Sequence, residues 1–192
     1  MSSSDNNFCV SCPTNCLDDQ PVISCNDCIT EFEFGQVEVV YWTNVGNPLA
    51  DSADFALRVD NAATADPAAI RALCVKGIKP APDQTETEFS CDTILVTNRT
   101  HTLDNTVDKL NTINYEALKQ MQCGGKKLFW FTFRGQKNLY GGLTGIVGNF
   151  MPHFESAGDG KGDILLGKLM IKWDSLCDPD FIVHPSPGIG CN

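Results

Sequence analysis

The chain of 192 residues has few basic residues and no long apolar run. Fourteen Lys and Arg against 24 Asp and Glu leave a formal net charge of -10, which argues against a protein that holds nucleic acid by neutralising phosphates. The longest apolar runs, such as Val37 to Trp42, are far too short to cross a bilayer. The first residues lack the basic and apolar regions of a secretory signal, so we expect synthesis in a cytoplasm, where thiols stay reduced.

Histidine is also scarce, and its contexts do not predict catalysis. His101, His153 and His184 lie in no Ser/His/Asp, Cys/His or H-E-x-x-H arrangement, and we expect His101 to be a surface or packing residue of a strand. The stretch GDGKGD, residues 158–163, lacks the residues of a phosphate loop and the spacing of a calcium loop, which favours a solvated hairpin turn. The sequence therefore predicts a protein that is not an enzyme.

Cysteine is abundant by contrast, and five of the ten cysteines lie between Phe8 and Cys28. Their spacing contains two C-x2-C pairs, which is typical of a tetrahedral zinc site made of thiolates. The predicted ligands are Cys9, Cys12, Cys25 and Cys28, with Cys16 as a substitute. Four thiolates leave no open coordination position, so the zinc would be structural. Disulfides and plain thiols are the alternatives.

The other five cysteines are scattered singly along the chain. We expect Cys74 and Cys123 to lie at helix ends and to pack in the core. Cys177 and Cys191, in the C-terminal tail, could join a metal site formed across the fold or between subunits.

Alternating apolar and polar residues predict a mainly β protein with one principal helix. The helix is predicted over about 108–122, because apolar residues recur on one face and two glycines follow. A long loop is predicted over 44–65, and Asp66-Pro67 is typical of the start of a short helix over 66–74. Thr87 to Val96 and Arg99 to Val107 are predicted as a pair of strands, and further strands are predicted in the remaining apolar segments from residue 32 to residue 173.

This element order predicts a β-sandwich or partly closed barrel with one packed helix. We divide the chain into a cysteine-rich arm over 1–31, the β domain over 32–174, and an extended tail over 175–192. In the strand KKLFWFTFRG, the two sets of alternating side chains begin with Leu128 and Phe129 and point in opposite directions.

The second half of the chain resembles a known family. A helix ending in MQCGG, the aromatic strand LFWFTFRG and the stretch LYGGLTGIVGNFMPHFESAGDGKGDILLGKLMIKW, within residues 87–174, resemble the tail-tube proteins of long-tailed bacteriophages and the related ring and connector proteins. The cysteine-rich N-terminus is reminiscent of structural proteins of crAss-like phages. The resemblance implies a sandwich or barrel with one flanking helix, a sheet face that lines the bore of a ring, and arms that reach neighbouring subunits.

The leading hypothesis is therefore a non-enzymatic virion protein that forms a homomeric ring, contacts adjacent tail or neck proteins and lets DNA pass without binding it. A cytosolic zinc-ribbon adaptor that binds a protein partner is the alternative. A third hypothesis, a small hydrolase or a lectin-like sandwich, depends on aromatic side chains for sugar binding, namely Trp42, Trp130, Tyr140 and Trp173.

Overall fold

The computed structural model describes residues 34–60, 66–90, 93–157 and 164–186. The cysteine-rich arm, including the predicted zinc ligands, lies outside these residues. The described segments are, in chain order, β1 Phe34–Asn44, α1 Ser52–Asp60, β2 Arg71–Ile78, β3 Asp83–Ser90, β4 Thr93–Val107, α2 Thr112–Met121, β5 Lys126–Arg134, β6 Asn138–Tyr140, β7 Ile146–Ala157, β8 Ile164–Asp174 and β9 Phe181–Val183. Neither helix of these segments has the length and apolarity that crossing a membrane requires.

Six strands close into a barrel. Neighbouring strands pair antiparallel in the order β1-β2-β4-β8-β7-β5, and β5 pairs again with β1, so that the circle is complete. The closing contact runs from Phe34 opposite Arg134 to Asn44 opposite Lys127. The predicted mainly β fold is confirmed. The sequence predicted either a sandwich or a partly closed barrel, and the structure has a closed barrel. Strands β3, β6 and β9 extend the sheet beyond the barrel.

The aromatic strand β5 contributes to two hydrophobic cores because both of its faces are buried. Phe129 and Phe131 point into the barrel, where they pack with Trp173 and with residues of the other barrel strands. Leu128 and Trp130 point outward into a second core. The predicted alternation along this strand is therefore confirmed.

Helix α1 covers the second core from outside. Its Phe55 is fully buried and meets Tyr41 of β1 edge to face, with ring centroids 5.0 Å apart. Asp51 caps the helix, since its Oδ1 accepts the amide hydrogen of Asp54 at 2.9 Å. Arg58 donates to the carbonyl oxygens of Asn47, at 2.9 Å, and of Pro48 and Ala68, which ties the helix to both flanking segments. The predicted loop over 44–65 is thus wrong in part, because α1 lies within it.

Strand β2 begins at Arg71, so the last four residues of the segment predicted as a short helix over 66–74 belong to a strand. Asp66 does form the expected local cap, because its Oδ1 accepts the amide hydrogen of Ala68 at 2.8 Å. The cap closes a single turn, after which the chain pairs with β1 on one side and β4 on the other. Two ladders of backbone hydrogen bonds outweigh the local helix signal here. The helix prediction is therefore wrong.

Helix α2 packs against β7 and β8 and contributes side chains to the interior core. Its N-cap is Asn111, whose Oδ1 accepts from the amide of Asn114 at 2.8 Å. Leu118 and Met121 reach the interior core, and a Cβ on Gly167 of β8 would lie 2.8 Å from Leu118 Cδ1. The principal helix predicted over about 108–122 is confirmed, with narrower bounds.

The tail, which was predicted to be extended, contains a short strand and a buried histidine. Strand β9 pairs with β6, and the residue after it, His184, is buried against the outer face of β1 and α1. Part of the tail is therefore integrated into the second core.

Candidate functional site

The most distinctive surface is a hairpin, formed by β3 and β4, that extends beyond the barrel. Residues 100–106 of β4 pair with β8, and residues 104–107 pair with β2. Residues 93–99 of the same strand have only β3 as a partner among the described residues. These seven residues span about 23 Å of extended strand. Together with β3 they form the hairpin arm, which we define as residues 83–99.

The outer strand of the hairpin arm is an open edge. Within the described residues β3 pairs with β4 alone, and the side chains from Asp83 to Glu86 are exposed. Its sequence, DQTETEFS, contains three acidic and three hydroxyl residues. An open edge presents unpaired backbone groups that can pair with another strand. The arm is therefore a surface suited to strand addition by a neighbour.

A rigid root fixes the direction of the hairpin arm. The Thr100 hydroxyl donates to Asp174 Oδ1 at 2.7 Å, and the Ser175 amide donates to the Arg99 carbonyl at 3.0 Å. His101 stacks on Trp173 with ring centroids 5.0 Å apart and planes 10° apart. These contacts join β4 to the end of β8 at the point where the arm leaves the barrel.

His101 also determines the electrostatics of this root. Its Nε2 lies 3.1 Å from the Ser175 carbonyl oxygen, which can only accept, so Nε2 carries the proton. The bare Nδ1 has no hydrogen-bond partner among the described residues and lies 3.7 Å from Asp178 Oδ1. Burial lowers the pKa of His101, and a hydrogen bond from Lys79, at 2.7 Å, lowers the pKa of Asp178. The root therefore holds a neutral imidazole beside an ionised, paired carboxylate.

The other two histidines lie apart from this root. His153 is half exposed on β7, with Nε2 4.0 Å from Glu155. His184 Nδ1 accepts from the Ser186 amide at 3.1 Å, so its Nε2 carries the proton and donates to the Tyr41 hydroxyl at 3.3 Å. Burial lowers the pKa of His184 to about 4, and burial also raises the pKa of Tyr41. The three histidines do not form a common site.

Two shallow grooves lie on the outer face of β1, β2 and β4, with volumes of about 460 and 330 Å³. They share Gln36 and Lys76 as lining residues. Lys76 is paired with Asp108, and Lys168, at the far end, is 3.2 Å from Glu155. The two lysines of these grooves are therefore each paired with a carboxylate of the protein.

The cysteines of the described residues differ from their predicted roles. Cys74 lies within β2 and is disulfide-bonded, as is Cys177 in the tail. Cys123 is exposed and carries a free thiol. Cys123 does follow the C-terminal end of α2, but the expectation that it packs in the core is wrong, and so is the expectation that Cys74 lies at a helix end. No cluster of three or more His, Cys, Asp or Glu suited to a metal occurs within residues 34–60, 66–90, 93–157 and 164–186.

The hairpin arm was not predicted from the sequence, because the region of the long strand β4 was divided at residues 97–98 into two predicted strands. A continuous stretch of β-branched and polar residues, TILVTNRTHTLDNTV, was the signal available. Such a stretch shows how long a strand is, but it does not show how many neighbouring strands pair with each part of it.

No protein-family model, curated protein or solved structure matches the chain.

Proposed function

We propose that the protein is a non-enzymatic structural subunit of a phage virion, which assembles into a homomeric ring of the tail or neck around a channel for DNA. The observation that carries the proposal is the hairpin arm, since residues 93–99 of β4 extend past the barrel and pair only with β3 within the described part of the chain. The family that the sequence resembles uses such arms to reach neighbouring subunits.

The energetics of the arm favour a partner. An isolated two-stranded hairpin is marginally stable in water, and a third strand or a packed surface is needed for it to persist. The rigid root at Thr100 and Ser175 holds the arm in one direction, which reduces the entropy lost on docking. An arm that is directed but unsupported is expected to gain its third strand from another chain.

The sheet has a second open edge, which gives the arm a candidate acceptor. Strand β9 pairs only with β6 among the described strands, and it exposes Phe181 to 57% and Val183 to 78%. The edges at β3 and β9 differ in sequence, so a contact between them is heterologous. Such a contact repeated around an axis forms a closed ring when the rotation closes.

The charge of the chain is compatible with a DNA channel. A net charge of -10 for each subunit would multiply around a ring into a field that repels phosphate. DNA could then pass without being held.

The alternatives have less support from the described residues. The tryptophans that a sugar-binding surface would need, Trp42, Trp130 and Trp173, are buried in the cores. A zinc-ribbon adaptor depends on the N-terminal cysteines, which lie outside the described residues. The adaptor hypothesis predicts a monomer, so the oligomeric state separates it from the ring.

The test is native mass spectrometry and negative-stain electron microscopy of the purified chain. In the decisive variant, an Asn-Gly turn replaces residues 86–97, joining Thr85 to Asn98, which are register partners. The control is Ile113→Gln on α2, a change to an apolar side chain that is 76% exposed and lies outside the arm.

We expect discrete high-mass rings from the unaltered chain and from Ile113→Gln, and a folded monomer from the shortened variant. Circular dichroism would establish that the shortened variant retains its barrel. A monomeric unaltered chain at tens of micromolar would refute ring assembly and favour the adaptor. Rings formed by the shortened variant would show that the arm is not the contact.

A further inference from the structure

Strands β4 and β8 are staggered, so that each strand extends past the other at one end. Residues 100–106 of β4 pair with residues 168–174 of β8. Strand β4 also contains residues 93–98, which we call the β4 overhang, and β8 also contains residues 164–167, which we call the β8 overhang. Each overhang is the N-terminal part of its strand. Because the two strands are antiparallel, the overhangs leave the barrel at opposite ends.

Each overhang is open on the side where the other strand would lie. Thr100 pairs with Asp83 of β3 and with Asp174 of β8, so β3 and β8 lie on opposite sides of β4. Within the described residues, the β4 overhang has β3 on one side and no strand on the β8 side. Lys168 likewise pairs with both β4 and β7, and of the described strands only β7 continues along the β8 overhang. The open edges are thus the same edges that β4 and β8 join within the barrel.

Helix α2 covers one face of the β8 overhang. A Cβ on Gly167 would lie 2.8 Å from Leu118 Cδ1 and 3.0 Å from Leu110 Cδ1, so these two side chains lie against the face of the sheet. Leu165, two residues away on the same strand, is 49% exposed. An apolar strand edge therefore remains accessible beside the helix.

Neither overhang contains the residues that usually keep a free edge from pairing. Charged side chains and proline are the common protection of an exposed edge. The sequence of the β4 overhang is TILVTN and that of the β8 overhang is ILLG, without a charged residue or a proline in either. The β-branched residues of the β4 overhang also favour pairing with a further strand.

We propose that the β4 overhang of one copy of this chain pairs antiparallel with the β8 overhang of a second copy. The contact repeats between chains the pairing that β4 and β8 form within one chain. It gives the hairpin arm the third strand that a two-stranded hairpin lacks. The inference rests on the self-assembly proposed above, and it adds a contact at edges other than those of β3 and β9.

The contact joins copies end to end. Residues 100–106 separate the two overhangs of one chain by about 23 Å of strand, so the overhangs of the same chain cannot meet. The overhangs differ in sequence, and two joined copies leave one overhang free at each end, to which a further copy can be added. Assemblies larger than a single closed ring are the consequence.

Photo-cross-linking tests the pairing directly. The variant Leu165→p-benzoylphenylalanine is irradiated as the assembled protein, and covalent dimers are isolated on a reducing denaturing gel, which selects bonds between chains. Trypsin then releases the β8 overhang in residues 162–168, the hairpin arm in residues 77–99 and β9 in residues 173–192. The matched control carries the same replacement at Leu57, a leucine of α1 that is 63% exposed.

We expect the peptide 162–168 to be linked to the peptide 77–99, with the attachment within residues 93–98, and no such link from the Leu57 variant. Attachment to any other peptide, the same link from the control, or the absence of a covalent dimer would overturn the proposal. Rings seen by native mass spectrometry would in those cases leave the proposed function standing. A monomeric unaltered chain would overturn both.

A charge on the β8 overhang gives a second readout. Leu165→Lys should raise the concentration needed for assemblies larger than one ring by about fivefold, because a charged side chain at an edge opposes pairing. Analytical ultracentrifugation measures the concentration, and circular dichroism establishes that the barrel is retained. Leu57→Lys should behave as the unaltered chain. An unchanged concentration for Leu165→Lys, or an unaltered chain that forms single rings and nothing larger, would contradict the proposal.

Discussion

The buried imidazole of His184 should make the stability of the barrel depend on pH. Burial lowers the pKa of this side chain from 6.5 to about 4, because the charged form would lose its hydration among Tyr41 and Phe55. An unfolded chain therefore binds a proton at this residue between pH 6.5 and pH 4 while the folded chain does not. The contribution of His184 is fully present above pH 6.5 and is lost as pH falls towards 4.

The size of the effect follows from the two pKa values. Between pH 7.5 and pH 5.0, the free energy of unfolding should fall by about 2 kcal/mol through His184 alone. For a chain of this length, that corresponds to a Tm lower by about 4–8 °C. Burial also lowers the pKa of His101, which adds a loss of the same sign.

Urea unfolding at both pH values, for the unaltered chain and for His184→Gln, isolates the contribution of His184. The glutamine cannot be protonated, and every other titrating group is common to both proteins. We expect the unaltered chain to lose about 2 kcal/mol more than the variant between pH 7.5 and pH 5.0. His153→Gln is the control for the same substitution at a half-exposed imidazole on the surface. Equal losses in the unaltered chain and in His184→Gln would refute the reasoning.

Two further substitutions test the packing. Gly77→Ala should cost about 1–3 kcal/mol by urea unfolding, because a Cβ there would lie 2.0 Å from Asn105 Oδ1 and 2.8 Å from a backbone oxygen. Gly35→Ala, where no atom of the described residues lies within 4 Å of the added Cβ, should be close to neutral. Phe55→Ala should cost about 3–5 kcal/mol by removing the fully buried ring that holds α1 on the barrel, and a loss as small as that of Leu57→Ala, at a side chain 63% exposed, would contradict the existence of the second core.

Much of the β fold could be predicted from local patterns. The alternation of apolar side chains along β5 assigned Phe129 and Leu128 to opposite faces, and both faces are buried as two cores. Helix α2 was visible because its apolar face and the glycines after it lie within one short stretch. Signals of this kind depend on residues within a few positions of each other, which a sequence displays directly.

The errors lie where distant partners decide the structure. The Asp66 cap is real, yet the chain continues as β2 because strands β1 and β4 offer hydrogen bonds on both sides. The region of helix α1 was predicted to be a loop, although the sequence contains Asp51 and Asp54, whose side chains cap the start of the helix. Its Ala-rich stretch carries a weak apolar pattern, and the burial of Phe55 against Tyr41 stabilises it.

By itself, then, the sequence determined the alternation along β5, the principal helix, the acidic charge and the scarcity of catalytic residues. Only the tertiary structure decided that β5 closes onto β1, that the tail returns to bury His184, and that the β3–β4 hairpin extends beyond the barrel. The physical reason is that pairing and burial depend on groups brought together from positions tens of residues apart, whereas periodicity and capping depend on neighbours along the chain.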